Sequence, residues 1–386
     1  MTPATVDAAT ASARTDDQRM LAESVADFSR RATDMARVRK WRGVAPGYDR
    51  ALWKEMAELG WTGILVPEAC GGSGLGLAEM AVVAEGLARV LVPEPVNPCA
   101  VLAARTIAHC DNPSLGAELL ERIATGDLIA AVAFQEHAGD LGTHTVATHA
   151  VAGGGHVTLS GRKRFVAGAG DADGFVVSAS GASGLVLAWV PKGTPGMNTS
   201  LELLADGRHS GVLEFADVQI PQAQMLAPAE VAQAALDRAV DEAAVIASAE
   251  LFGIMDRALE MTLDYLRTRV QFGRAIGSFQ SLQHRSVDLF IQKNLASVAI
   301  EDALLALESA PGTPRAAAAA SRAKARCSDA AALITRQAIQ MHGAIGFTED
   351  SDVGLYVKRA ITLGAWLGNS AYHRRRYMRL AADDKE

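Results

Sequence analysis

A chain of 386 residues with 49% hydrophobic content is long enough for two or three domains with large cores. Its formal net charge of −7 argues against a surface for nucleic acid or anionic membrane. No apolar run approaches the length of a membrane span, and the polar N-terminus lacks the basic and apolar regions of a secretory signal. Cys70, Cys99, Cys110 and Cys327 are scattered, with no C-x-x-C pair and no His at ligand spacing. Neither a disulfide framework nor a metal site is expected, and a cytoplasmic location follows.

Residues 1 to about 14 read as a loose segment. From there to about 126 the pattern is helical, with apolar residues at helix spacing around 17–32, 48–59, 77–91 and 101–110. One loop interrupts it, 67–76, where Gly71, Gly72, Gly74 and Gly76 allow a tight backbone. No G-K-[ST] follows, which excludes a Walker loop. Between about 128 and 218 short β-type runs at 129–134, 157–159, 175–179, 185–190 and 211–215 alternate with Gly, Asp and Pro turns. Long helical patterns return from 228. The Ala-rich stretch 314–325 reads as helix rather than disorder, because Ala is the best helix former. The run His373-Arg374-Arg375-Arg376 reads as a solvated helix face.

The richest stretch runs from Tyr265 to Asp288. A helix is expected to end at Arg269, a bend to pass through Gly273 and Gly277, and a second helix to open near Phe279. At such a bend Arg269 offers a guanidinium fork to phosphate. Gln271 and Gln280 offer amides, and Phe272 and Phe279 offer flat apolar faces. That set suits a dinucleotide.

The longer pattern R-x-Q-F-G-x-x-I-G-x-F-Q-x-x-x-H resembles the flavin-binding signature of the acyl-CoA dehydrogenase family. The resemblance implies that Arg269 meets the FAD pyrophosphate and that the Gln lies towards the adenine, both on a neighbouring subunit's flavin. Residues 134–140, F-Q-E-H-A-G-D, resemble the family's T-E-x-x-x-G-S-D loop, with Gln135 where a hydroxyl contacts the flavin ring and with the Ser missing. The segment 159–168 looks like the family's G-x-K-x-[WF]-[IV]-[TS] hairpin, so Phe165 would pack on the isoalloxazine and Ala167 would meet it through backbone alone. Residues 340–347 resemble Q-x-x-G-G-x-G-F. Gln340, His342, Gly343 and Ala344 would then run along the adenosine of the partner's FAD. The stretch 53–76 also looks like the family's, where it helps wall the acyl pocket.

The resemblance implies the acyl-CoA dehydrogenase fold: an α-helical N-terminal domain (1–127), a middle β-domain (128–226) and a C-terminal four-helix bundle (227–386). It also implies FAD, an acyl-CoA substrate, an electron-transfer flavoprotein as acceptor and a homo- or heterotetramer. The catalytic base departs from the pattern. Most relatives carry a Glu on the loop corresponding to 363–370, which here holds no acid. A minority place it on the first helix of the C-terminal domain, at the position of Ala243; Glu242 and Asp241 are the nearest acids. Glu250, inside an apolar run, is either a functional carboxylate or a paired interior one. The degraded loop, the absent base and the D-G-R at 206–208 look similar to actinobacterial members that pair two unlike subunits and act on bulky steroid-derived thioesters. A non-catalytic partner subunit, a flavin monooxygenase and a nitroalkane oxidase on the same fold are the rival readings.

Overall fold

The computed structural model describes residues 14–383, except 140, 142 and 145. The segment expected to be loose therefore lies outside the described residues, save Arg14, which pairs with Glu85 at 3.1 Å.

The N-terminal helices are α1 (Asp16–Ala32), α2 (Met35–Trp41), α3 (Arg50–Glu58), α4 (Leu77–Arg89), α5 (Ala104–Ala108) and α6 (Pro113–Ala124). Their starts are written in the sequence. Thr15 forms a capping box with Gln18, and Asp34, Asp49 and Asn112 each accept a backbone N–H of the following turn. The segment expected as helix from 101 begins earlier and differently: Val96–Ala103 is wound as a π-helix before α5 takes over. Pro98 has no N–H to give an ordinary intrahelical bond, which favours the wider winding.

An eight-stranded sheet follows: β1 (Ala130–Ala133), β2 (His149–Gly153), β3 (His156–Ala167), β4 (Gly174–Gly181), β5 (Gly184–Pro191), β6 (Met197–Leu203), β7 (His209–Pro221) and β8 (Met225–Ala227). The order is β6-β7-β3-β2-β4-β5-β8, with β1 parallel to β4. Strands β2, β6 and β8 were not anticipated. Residues of β3, β4 and β7 interlock in a core of their own around Phe175, Leu159 and Leu213.

The C-terminal part is built on α7 (Ala229–Thr268), α8 (Gln280–Ser309), α9 (Pro314–His342), α10 (Val353–Ala365) and α11 (Ser370–Asp383), with a two-strand turn of β9 (Val270–Gln271) and β10 (Arg274–Ala275) between α7 and α8. Five helices thus make up the C-terminal part among the described residues. The 40 residues of α7 reach roughly 60 Å and tie the N-terminal helices to the rest. Gly253 permits the closest approach: a Cβ there would sit 2.2 Å from the Glu85 carbonyl on α4. No helix among the described residues is long and apolar enough to cross a membrane.

Two expectations change. His373 is buried and Arg376 is tied to Asp241, so the Arg-rich run is not simply a solvated face. The Gly-rich loop 67–76 folds back on its own turn, with Ser73 N–H donating to Gly63 O and Gly74 N–H to Val66 O, both at 2.9 Å. It does not line the cavity described next.

Candidate active site

Where the sheet meets α4, α7 and α10, a cavity of about 420 Å³ opens. One wall comes from the sheet. Gln135 follows β1, and Arg164 N–H donates to its carbonyl at 2.8 Å, zipping that loop to β3. The β3–β7 register slips between Lys163 and Val166, and Phe165 sits in the left-handed region at φ 57°. A large side chain is rarely held there, and the bulge turns Phe165 to line the cavity beside Ala167.

A buried ion pair anchors this wall. Lys163 Nζ donates to Glu136 Oε1 (2.7 Å), Phe134 O (3.2 Å) and Ser178 Oγ (3.0 Å). Glu136 also accepts from the N–H groups of Ala147 and Thr148 and from the Thr148 hydroxyl. Burial opposes the Glu136 charge, but Lys163 and these donors outweigh it and hold the carboxyl at about 2. Burial draws Lys163 down to about 8, partly offset by Glu136.

The facing wall is polar in one corner. Glu250 Oε1 accepts from Asn97 Nδ2 at 2.8 Å, and Oε2 from Arg359 Nη2 at 3.1 Å. Arg359 spans onward to Asp206 at 3.1 Å. Arg208, pushed down to about 10 by burial and by Arg359, donates to Val92 O at 2.7 Å. Glu94 lies beside them, paired with Arg37 and accepting the Asp49 N–H at 3.1 Å. Trp366, Ala365 and Ile254 supply the apolar remainder.

The expected site residues fall into separate places. Gln135, Phe165 and Ala167 come together on the cavity wall. Arg269, Gln271, Phe272, Gln280, Gln340, Gly343 and Ala344 are exposed and lie outside that cavity. Phe279 joins them, meeting Phe272 edge-to-face at 6.0 Å. The segments 265–280 and 340–347 adjoin, because Tyr265 stacks on the buried His342 at 4.5 Å.

Glu242 and Asp241 depart from expectation. Both are buried, yet neither lines the cavity with Gln135 and Phe165. Glu242 accepts from Arg105 Nε (2.7 Å), His109 Nε2 (3.1 Å) and Arg238 Nε (3.2 Å). Burial works against its charge, but the His109 and Arg105 bonds prevail and hold it at about 2. Asp241 is gripped by Arg376, with Nη2 to Oδ2 at 2.8 Å, and lines a second, more open cavity of about 890 Å³. Burial pushes its carboxyl up despite Arg376. Glu242 is thus held by two arginines and a histidine, and Asp241 by one arginine.

Asn97 and Arg359 were not anticipated, whereas Arg208 stood in the D-G-R noted above. The fit to a flavin can be tested on unpaired atoms. Asn97 and His209 line the cavity, and their buried Oδ1 and Nδ1 atoms have no protein partner. A mostly apolar slot with a few such convergent polar atoms suits a planar ring with a hydrogen-bonding edge.

Family models for the acyl-CoA dehydrogenase N-terminal domain and C-terminal domain match residues 15–127 and 238–381. The chain is 31% identical to the acyl-CoA dehydrogenase IpdE2 of Mycobacterium tuberculosis, over 89% of this chain and 91% of that one. Among solved structures it is similar to a variant of the Tcur3481-Tcur3483 steroid ACAD, with a TM-score of 0.87, 28% identity and coverage of 96% and 98%. The ChsE4-ChsE5 complex from Mycobacterium tuberculosis gives 0.85, 26%, and 96% and 98%.

Proposed function

The chain belongs to the acyl-CoA dehydrogenase family, and from that premise we propose that it binds FAD and serves the α,β-dehydrogenation of an acyl-CoA thioester. The observation that supports this most is the cavity, which sets Gln135, Phe165 and Ala167 opposite Glu250. Phe165 and Ala167 would carry the isoalloxazine, and Arg269, Gln280 and Gln340 would meet the distal part of a neighbour's cofactor. Bound FAD would supply hydride acceptance from the β carbon, and an electron-transfer flavoprotein would take the electrons onward. The α proton needs a carboxylate. Glu250 and Glu94 are the acids that line this cavity among the described residues, and of the two Glu250 lies on α7, its orientation fixed by Asn97 and Arg359. A bulky, steroid-derived acyl group is the substrate class suggested by the relative named as a steroid ACAD.

Assembly is part of the reading. Helix α8 exposes Val287, Phe290, Ile291, Leu295 and Val298, an apolar row suited to burial against another chain.

The deciding experiment is Glu250→Gln in the flavin-loaded protein, assayed with CoA thioesters and an artificial acceptor. Turnover falling by about 10²–10⁴-fold with FAD content unchanged supports Glu250 as base. A second reading has its own support: the loop 363–370 holds no acid, Glu250 is bound on both oxygens, and both solved relatives above are named as pairs. In that reading this chain completes the site of an unlike subunit. Pure chain that binds thioester without turning over, but gains activity on mixing with such a subunit, would select it.

A further inference from the structure

The ammonium of Lys324 is wholly buried in α9, yet among the described residues no acid is within its bonding reach. Its Nζ is directed at Leu363 O (3.2 Å), Gly364 O (3.1 Å) and Gly368 O (3.1 Å), with Ser328 Oγ at 3.4 Å. Leu363 and Gly364 stand in the last turn of α10, where carbonyls lose their intrahelical donors. Gly368 stands beyond the helix. One side chain from a neighbouring helix therefore caps α10 and pins the strand of chain that leaves it.

That chain is under constraint. Leu367 is buried with φ 56°, a left-handed conformation unfavourable for Leu, and Gly368 follows at φ 98°. His373 Nε2 lies 2.8 Å from Leu367 O; since burial pushes this imidazole down to about 3, it is neutral and donates through that nitrogen. Between the two clamps, Ala365 and Trp366 face the cavity. A helix end with a strained residue holds one position only when its surroundings over-determine it.

We propose that Lys324 is a positioning residue: by donating to the carbonyls of Leu363, Gly364 and Gly368 it fixes the turn after α10 and so holds Trp366 in the wall of the substrate cavity. Burial pushes the amine down to about 7; charged it has one N–H for each of the three carbonyls, and neutral it keeps two. Its importance for a thioester rests on the function proposed above, whereas its hold on the turn does not.

The test is amide hydrogen exchange, read by mass spectrometry on the flavin-loaded protein, for wild type and Lys324→Met. Met is unbranched and apolar, one atom shorter than Lys, and removes every donor. Exchange at residues 366–373 should rise at least tenfold, with the sheet and α4 unchanged. KM for a CoA thioester should rise more than fivefold while FAD content holds. Should Lys324→Met fail to fold, Lys324→Gln, which keeps two donors on a shorter arm, is expected to show the same local rise in smaller measure. Unchanged exchange at 366–373, or a uniform rise over all of α9, α10 and α11, overturns the proposal. Absence of turnover in wild type would refute the function proposed above and leave the exchange result to decide this one.

Discussion

Glu242→Gln separates a fastener from a catalyst. The native carboxylate receives Arg105 at 2.7 and 3.0 Å, His109 at 3.1 Å and Arg238 at 3.2 Å, and its side chain is 4% exposed. The amide keeps the shape but removes the charge, leaving two half-buried guanidinium groups without their counter-ion. Breaking one side of such a buried pair costs about 3–5 kcal/mol. The pH dependence follows from the depressed carboxyl. With a folded value of about 2 against an ordinary 4.5, the native state gains stability that is fully present above about 4.5 and is lost as pH falls towards 2. The gap between wild type and variant in urea unfolding should thus be widest near neutrality and close under acid. Turnover per flavin-loaded molecule should stay within about twofold, because Glu242 does not line the cavity. A variant of unchanged stability whose turnover collapses would refute this reasoning and return Glu242 to the role of base.

Arg269→Ala removes an exposed side chain, so folding stability should move by less than about 0.5 kcal/mol. Flavin affinity should nonetheless fall by about 2–4 kcal/mol, measured by FAD retention on dilution, if the guanidinium meets a pyrophosphate. Gly72→Ala places a Cβ 2.1 Å from the Val66 carbonyl. The loop 67–76 must then shift, and urea unfolding should show a loss of about 1–3 kcal/mol with FAD content unchanged.

Much of the fold was legible because its signals are local. Caps at Thr15, Asp34, Asp49 and Asn112 and the Ala-rich run of α9 mark helices within a few residues of the chain. The strands were less so. In β6, M-N-T-S-L-E-L offers polar residues along an edge strand whose only partner is β7, and nothing in the segment itself announces that pairing. The π-helix at Val96–Ala103 also escaped, since apolar spacing there resembles any helix. Phe165 was readable as an aromatic on a hairpin; its left-handed backbone was not, because a bulge is a property of two strands.

The three acids of α7 show why the site itself was only half legible. Nearness to Ala243 made Asp241 and Glu242 the candidates and its apolar run set Glu250 apart, but an α-helix turns about 100° per residue, so Asp241 and Glu250, nine residues apart, lie about half a turn from each other. They cannot serve one cavity from one face. Asp241 finds Arg376 on α11, Glu242 finds Arg105 and His109 at the end of the N-terminal helices, and Glu250 finds Asn97 and Arg359 beside Trp366. Apart from Arg238, one turn before Glu242 on α7, each partner lies more than 100 residues away, beyond any local pattern. The face of the helix, rather than nearness in sequence to Ala243, therefore decides which acid can meet a substrate, and it favours the one set inside the apolar run.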